Sequence, residues 1–501
     1  MPTTLKPTPT KTFMCHYGYG IVKKHFAFKD INRTKKDLNV KPFSAFQISK
    51  FNDQTKSYPV YLESKTKIYM PKFYGLENFG EPDTNLLHSG YDIELEFNGS
   101  LRENQHIPVQ TFLDSCKPGL LTNKSNGGII SLPCGGGKTI VALYLIAALK
   151  KKTIIVVHKE FLMNQWKERI KTFLPDARVG TIQASTIDID NKDIVICMLQ
   201  SISMKEYDKD QFNSFGFTIV DECHHISSEV FSRALPKLTS TYTLGLSATP
   251  KRQDGTTKIF LWFLGPMLFK GKQDTKKVVD VRVIQYKSFD KDYCKEEITV
   301  GGQLCYPRMI NNITNYERRT YIIIELIRRL IDNNKKILIL SNRRNHLTRI
   351  HELVTQFNIA TVGFYVGGMK QKDLDISETK QILLGTYSMS SEGMDIPDLD
   401  ALILASPKSN IVQSIGRILR KKHTSYPIVY DIVDQFSKFP KQYIKRRTYY
   451  RKMKYPISII DIEDSPSRSL LDIYSDLDVT PIKDSKKKRK KKEPILQFIQ
   501  E

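Results

Sequence analysis

Residues 127–139 read GGIISLPCGGGKT. An apolar run, Gly128 to Leu132, is followed by a turn with three successive glycines, and Lys-Thr then opens the apolar stretch IVALYLIAAL at 140–149. Strand, glycine turn and helix in this order build a phosphate cradle. Gly135, Gly136 and Gly137 let the backbone curl so that its N–H groups and the helix N-terminus face an anion. Lys138 is placed to reach β and γ phosphates, and the Thr139 hydroxyl to ligate Mg²⁺. The pattern G-x-x-x-x-G-K-[ST] asks for one more glycine, and Leu132 stands in its place. On the loop alone, a damaged nucleotide site, a chance match and a loop of another kind all stay open.

Around this loop, from about residue 99 to 270, apolar strands alternate with longer helical stretches: TIIVVH with EFLMNQWKERIKTF, then DIVICM, FTIVD and YTLGLSA. Strands apolar throughout and separated by helices imply a parallel sheet covered on both faces. A second such block, with KKILILS, ATVGFYV, QILLGTY, ALILAS and YPIVYDIVD, spans roughly 310 to 436. Residues 271–309 have weaker periodicity and are expected to be a linker with a short strand. Residues 1–98 begin with a polar leader and continue, from about 40, in short aromatic and β-branched runs broken by turn residues, expected as a small β-rich domain. The basic and aromatic stretch from Lys438 to Lys454 offers two readings, base stacking on Tyr443, Tyr449 or Tyr450 and a closing helix anchored by those tyrosines, and the second is favoured. The acidic and then basic segment 461–501, with KKKRKKK at 486–492, is expected to be a disordered tail.

The bulk composition narrows the partner. The chain has 501 residues, enough for two or three domains, and its 77 Lys and Arg against 53 Asp and Glu give a formal charge of +24. A field of that sign favours a polyanion such as nucleic acid. The seven cysteines form no C-x-x-C pair, so neither a disulfide framework nor a zinc site is expected, and the compartment is read as reducing and intracellular. The leader lacks a secretory apolar core, and no apolar run approaches the roughly 20 residues that cross a bilayer. A soluble protein with no membrane partner is expected.

VDECH at 220–224 follows the apolar run FTIV, which puts Asp221 and Glu222 at the C-terminal end of a strand, where open α/β sheets bind ligands. One carboxylate can hold Mg²⁺ and the next can orient or activate water. Taken alone, the same acids could cap the following helix.

The order of these segments resembles the superfamily 2 helicases. GGIISLPCGGGKT, VVHKEFLMNQW, MLQSIS, DECH and LGLSATP match motifs I, Ia, Ib, II and III, and ILILSNRRNHL, GTYSMSSEGMDIPDLD and QSIGRILR match motifs IV, V and VI. In that superfamily the loop is commonly the shorter G-x-G-K-[ST], so Leu132 is ordinary. The resemblance implies an α/β fold of two tandem RecA-like parallel-sheet domains, at 99–270 and 310–460. It implies that Pro133, Cys134, Gly135, Gly136, Gly137, Lys138 and Thr139 cradle ATP, with Thr139 and Asp221 on the metal and Glu222 as general base. Gln105 in LRENQ would read adenine. Gly393 and Asp395 would also border the nucleotide. Gln413, Arg417 and Arg420 would belong to the catalytic set, the two arginines as fingers on the phosphates. Ser247, Ala248 and Thr249 would couple hydrolysis to movement. His158, Lys159, Gln200, Ser201, Ser341, Arg343, Gly367 and Thr386 would face the nucleic acid.

Within the superfamily the wording is similar to the xeroderma pigmentosum group B type and to transcript-release helicases of large cytoplasmic DNA viruses. LRENQ, LPCGGGKT, the Gln165-Trp166 pair and PKRQDG carry that similarity. Those relatives have Arg-Glu-Asp where this chain has Arg252, Gln253 and Asp254. The implied activity is an ATP- and Mg²⁺-dependent motor on nucleic acid, DNA favoured and RNA the alternative. The resemblance extends to RNA polymerase or other transcription proteins as partners, and to the host cytoplasm or virion as location, with the nucleus suggested by the basic tail. A non-catalytic nucleic-acid-binding scaffold is the reading from outside the enzyme class.

Overall fold

The computed structural model describes residues 10–41, 57–117, 126–133, 135–208, 210–224, 228–248, 256–271, 278–392, 394, 396, 398–419 and 426–484. The chain divides into two compact units, Met1–Gln273 and Asp274–Glu501.

The first unit opens with β1 (Thr12–Cys15), β2 (Gly18–Val22), α1 (Phe28–Asp37), β3 (Asn39–Val40), β4 (Tyr58–Pro59), β5 (Leu62–Glu63), β6 (Lys67–Met70), α2 (Lys72–Phe79) and β7 (Thr84–Asn85). Five of these strands pair in the order β5-β6-β2-β1-β7 around Tyr19, Ile21, Ile68 and Met70, which are almost fully buried. The region does carry a small sheet, but β1 and β2 lie before the stretch from about 40 in which strands were expected, KFYGLENF within that stretch forms α2, and FSAFQISKF lies outside the described residues.

The larger sheet of the same unit uses α3 (Glu103–Ser115), β8 (Gly127–Ser131), α4 (Lys138–Leu149), β9 (Thr153–Val157), α5 (Glu160–Phe173), β10 (Val179–Gln183), β11 (Thr186–Ile187), β12 (Ile194–Met198), α6 (Leu199–Met204), β13 (Phe217–Val220), α7 (Ser228–Ala234), β14 (Tyr242–Ser247), α8 (Thr257–Leu264) and β15 (Met267–Lys270). Its eight strands run β11-β10-β12-β9-β13-β14-β8-β15. Successive side chains of a strand point to opposite faces, so an apolar run must be covered twice. Ile155 and Val157 of β9 accordingly pack in one core with α4 and α5, and Ile154 and Val156 in another with α6 and α8. Helix α4 is apolar almost all round, as a helix inside such a layer must be, with Val141, Ala142, Leu143, Leu145 and Ile146 fully buried.

The order of the strands places the site. β14 lies between β8 and β13, with Ser247 opposite Ser131 and Gly245 opposite Val220. All three strands are parallel, so the turns after β8 and β13 emerge at the same edge with the end of β14 between them.

The second unit comprises β16 (Asp280–Ser288), α9 (Tyr306–Asn315), α10 (Glu317–Asp332), β17 (Ile337–Ser341), α11 (Arg344–Gln356), β18 (Val362–Tyr365), α12 (Gln371–Glu378), β19 (Ile382–Thr386), α13 (Tyr387–Glu392), β20 (Ala401–Leu404), α14 (Val412–Arg417), β21 (Ile428–Asp434), α15 (Phe439–Lys452), β22 (Ile457–Asp464), α16 (Leu470–Asp476) and β23 (Ile482–Lys483). Its sheet runs β18-β19-β17-β20-β21-β16-β22-β23. Both units therefore carry the parallel-dominated α/β sheet expected of tandem RecA-like domains.

Two boundaries differ from the sequence reading. The stretch 271–309 is more than a linker: β16 is an interior strand, paired along its length with β21 on one side and β22 on the other. Residues 461–484 likewise belong to the fold. Asp464 ends β22 buried, accepting from Tyr286 Oη and, at 2.7 Å, from Arg318 Nε, while Ile462 and Ile473 are fully buried. Residues 485–501, with the basic run, lie outside the described residues. On α15, Tyr443 and Tyr450 are buried and the Tyr450 hydroxyl donates to Asp431 at 2.8 Å, the anchoring arrangement.

Among the described residues, no helix is long and apolar enough to cross a membrane.

Candidate active site

The loop after β8 turns on glycines in the left-handed region: Gly135 at φ +75° and Gly137 at φ +80°, the latter immediately before α4. An L-residue at 137 would be strained, and its Cβ would also lie 2.0 Å from Gln105 Nε2. Gln105, 1% exposed, occupies the third position of α3. Its Oε1 accepts from the Arg102 N–H at 2.8 Å, and its Nε2 donates to the Gly137 carbonyl at 3.3 Å. The same amide thus caps its helix and holds the phosphate loop.

Lys138 begins α4, with Thr139 next, both partly buried. The Lys138 ammonium pairs with Glu222 Oε1, across from the end of β13. Glu222 sits in the left-handed region at φ +46°, an uncommon conformation for a side-chain-bearing residue and one that recurs at functional turns. Asp221 is buried. Its Oδ2 accepts the indole N–H of Trp166 at 2.9 Å, and its Oδ1 accepts the Glu222 backbone N–H at 2.9 Å. Burial, and next the Glu222 charge, push the Asp221 carboxyl above the usual range, against the opposing pull of Lys138 and Trp166.

His224 joins this turn to β14: its Nδ1 lies 2.9 Å from the fully buried Ser247 hydroxyl and 3.4 Å from Glu222 Oε2. The residue expected to couple hydrolysis to movement therefore touches the acidic turn through one imidazole. Ala248 follows at the strand end. Thr249 and Cys134 lie outside the described residues.

The donors suit magnesium nucleotide. Carboxylates and a hydroxyl are hard oxygen ligands of the kind Mg²⁺ takes in small number beside substrate phosphates, and a glycine cradle closed against Gln105 leaves a helix start for the phosphate.

In the second unit Arg417 is 6% exposed, and its guanidinium donates to two backbone carbonyls, Ser390 O and, at 2.6 Å, Met394 O. It ties the motif VI helix to the motif V segment. Gln413 is partly exposed on the same helix. Gly393, Asp395 and Arg420 lie outside the described residues.

The residues expected to face nucleic acid fall into two groups. His158 and Lys159 sit between β9 and α5, with the Gln200 amide donating to the His158 carbonyl at 3.1 Å, so motifs Ia and Ib lie together. Thr386 ends β19, its hydroxyl 3.2 Å from that of Ser388, and the Gly367 carbonyl accepts from Arg344. Ser201, Ser341 and Arg343 are instead engaged within their own units. Ser201 is buried and accepts from the Ala184 N–H at 3.0 Å; Ser341 is fully buried 3.1 Å from His346 Nδ1. The Arg343 guanidinium donates to Asn311 Oδ1 at 2.6 Å and Pro307 O at 2.8 Å. These three hold loops.

Trp166 and His224 were given no catalytic part by the sequence reading. A rare indole on the inward face of a helix that begins beside the site is a usable signal, since a buried indole N–H needs an acceptor.

Residues 98–252 match the family described as type III restriction enzyme, res subunit, and residues 321–422 match the helicase conserved C-terminal domain. The chain is 36% identical over 465 residues to the "Putative ATP-dependent RNA helicase L396" of Acanthamoeba polyphaga mimivirus, covering 91% of this chain and 88% of that protein. It is 27% identical to the "Putative helicase 161L" of Invertebrate iridescent virus 6, over 72% of this chain and 83% of the other. It is also 26% identical to the "DNA 3'-5' translocase XPB2" of Sulfurisphaera tokodaii, over 74% and 90%. With 36% identity to a viral helicase across most of its length and both domain families matched, the chain belongs to the ATP-dependent superfamily 2 helicases, in company with those of large DNA viruses.

Proposed function

We propose that this helicase hydrolyses ATP with Mg²⁺ to move along DNA. The observation that carries the ATP site is the convergence of Lys138, Asp221 and Glu222, from two separate strand ends, beside a glycine loop braced by Gln105. In this reading Lys138 leaves Glu222 for the phosphates, Thr139 and Asp221 hold the metal, and the released Glu222 carboxylate orients and deprotonates water. Bound there, Mg²⁺ would supply neutralisation of the phosphate charge. Little covalent work is needed in phosphoryl transfer, so placement and charge dominate. Ser247 and His224 transmit the state of the acidic turn to β14.

Arg417 is assigned to the phosphates together with Arg420. Its two backbone acceptors, at Nε and Nη1, fix the plane of the guanidinium. Gln105 is assigned to adenine, its amide keeping a second N–H and a second lone pair beyond the Gly137 and Arg102 contacts. His158, Lys159, Gln200, Gly367 and Thr386 are assigned to the strand, with Ser201, Ser341 and Arg343 positioning the loops around them.

The high positive charge suits either nucleic acid; the DNA translocase named from Sulfurisphaera tokodaii supports DNA as the track, and the mimivirus relative, named an RNA helicase, supports RNA as the second reading. A role in viral transcription beside an RNA polymerase, in the cytoplasm or virion, rests on the resemblance of the motifs to viral transcript-release helicases. The test is steady-state ATP hydrolysis by the wild-type chain and Lys138→Ala, alone and with single-stranded DNA, duplex DNA or RNA. Stimulation chiefly by DNA is expected; stimulation chiefly by RNA transfers the proposal to the second reading, and no hydrolysis under any condition favours the scaffold.

A further inference from the structure

The indole of Trp166 reaches a carboxylate 55 positions away in sequence. The ring is 2% exposed and sits in the apolar core with Ile155, Val157 and Ile196, so packing fixes where its N–H points. That N–H donates to Asp221 Oδ2, and the remaining oxygen, Oδ1, already accepts the Glu222 backbone N–H. Asp221 therefore has one donor on each oxygen, and its rotamer is set from both sides. A donor to a carboxylate is charge-assisted and stronger than one to a neutral acceptor. Packing alone would be satisfied by any large ring; the hydrogen bond requires the indole.

We propose that Trp166 is a positioning residue that orients Asp221 toward the Mg²⁺ of the bound nucleotide, and that its indole serves as an intrinsic reporter of that metal; this rests on Asp221 being the metal ligand. Outer partners that fix a metal-binding carboxylate typically change metal affinity by about 10–100-fold when removed. The chain has only two tryptophans, Trp166 and Trp262. Trp262 packs edge-on against Tyr74, so Trp262→Phe leaves Trp166 as the single indole.

The experiment uses the full chain. In Trp262→Phe, indole emission is followed as Mg²⁺ is added with saturating ATPγS. In Trp166→Phe and Asp221→Asn, binding of a fluorescent ADP is measured against Mg²⁺ concentration and again in EDTA, the EDTA value showing that the site is folded. We expect emission to change with Mg²⁺, and Trp166→Phe to raise the half-saturating Mg²⁺ about tenfold with EDTA binding unchanged. An unshifted Mg²⁺ midpoint in Trp166→Phe, with a shifted one in Asp221→Asn, overturns the role of Trp166 alone. An unshifted midpoint in Asp221→Asn overturns the assignment of the metal ligand, and the inference with it. Flat emission overturns the reporter.

Discussion

Lys138 and Glu222, the residues assigned to phosphate and to water, are ion-paired with each other at the ends of two different strands. Each neutralises the other until a phosphate competes for the ammonium. Glu222→Gln removes the competitor along with the base. ATPγS should therefore bind at least as tightly as to wild type, while kcat falls by about 10²–10⁴-fold. Lys138→Ala should lose binding itself. Equilibrium titration beside steady-state turnover checks both; weakened binding in Glu222→Gln would refute the competition.

Gly137→Ala tests the loop. The left-handed backbone there costs a side-chain-bearing residue about 1–2 kcal/mol, and the new Cβ also meets the Gln105 amide. Nucleotide affinity is expected to fall at least about tenfold. Gln105→Ala in the same chain relieves the contact but keeps the backbone strain and removes the adenine-reading amide, so affinity should not recover. Full recovery would mean that the backbone angle is unimportant.

Acid should destabilise the second unit through His346. Its imidazole is buried beside Ser341 and near the Arg319 charge; burial first, and that charge second, lower its pKa to about 3. The folded pKa lies below the unfolded one, so the contribution is complete above about pH 6.5 and is lost as pH falls toward 3. At pH 5 the loss amounts to about 2 kcal/mol. Melting curves at pH 7 and pH 5 should show it, with a flatter dependence in His346→Gln. An equally steep loss in that variant would assign the effect elsewhere.

The pair Arg319–Asp434 has no exposed side-chain surface, and Asp434 also accepts from the Tyr293 hydroxyl at 2.5 Å. Removing one partner strands a buried charge. Arg319→Met or Asp434→Asn is expected to cost about 3–5 kcal/mol, and the double variant less than the sum of the two. Calorimetry of the four proteins would measure the coupling; additive losses would rule it out.

The phosphate loop, the acidic turn and the two α/β blocks were legible because their geometry is local. Three glycines before Lys138 can only be a tight turn, and an apolar FTIV before Asp221 can only be an inner strand. β16 was not legible, since VVDVRVIQYKSF gives no hint that its partners are β21 and β22, far along the chain. The acidic text around Asp464 looked like a solvated tail because its ion-pair partner Arg318 and hydrogen-bond donor Tyr286 lie far back in the sequence. Ser201 and Ser341 show the converse: a serine within a recognisable motif carries no local mark of burial.

The interior place of β16 also sets a timetable for synthesis. On a ribosome making this chain from its N-terminus, residues 280–288 are the first strand of the second unit to emerge, yet both strands that flank them belong to the last part of the described fold. The first unit has all its strands before Gln273 and can close while translation continues. The second must hold a strand of alternating apolar and polar residues with two open edges until β21 and β22 arrive. Strand pairing across so long a stretch of chain is slow, and exposed edges of this kind are where nascent proteins aggregate. The second half is therefore the part of the molecule with the greatest need of chaperone protection during its own production.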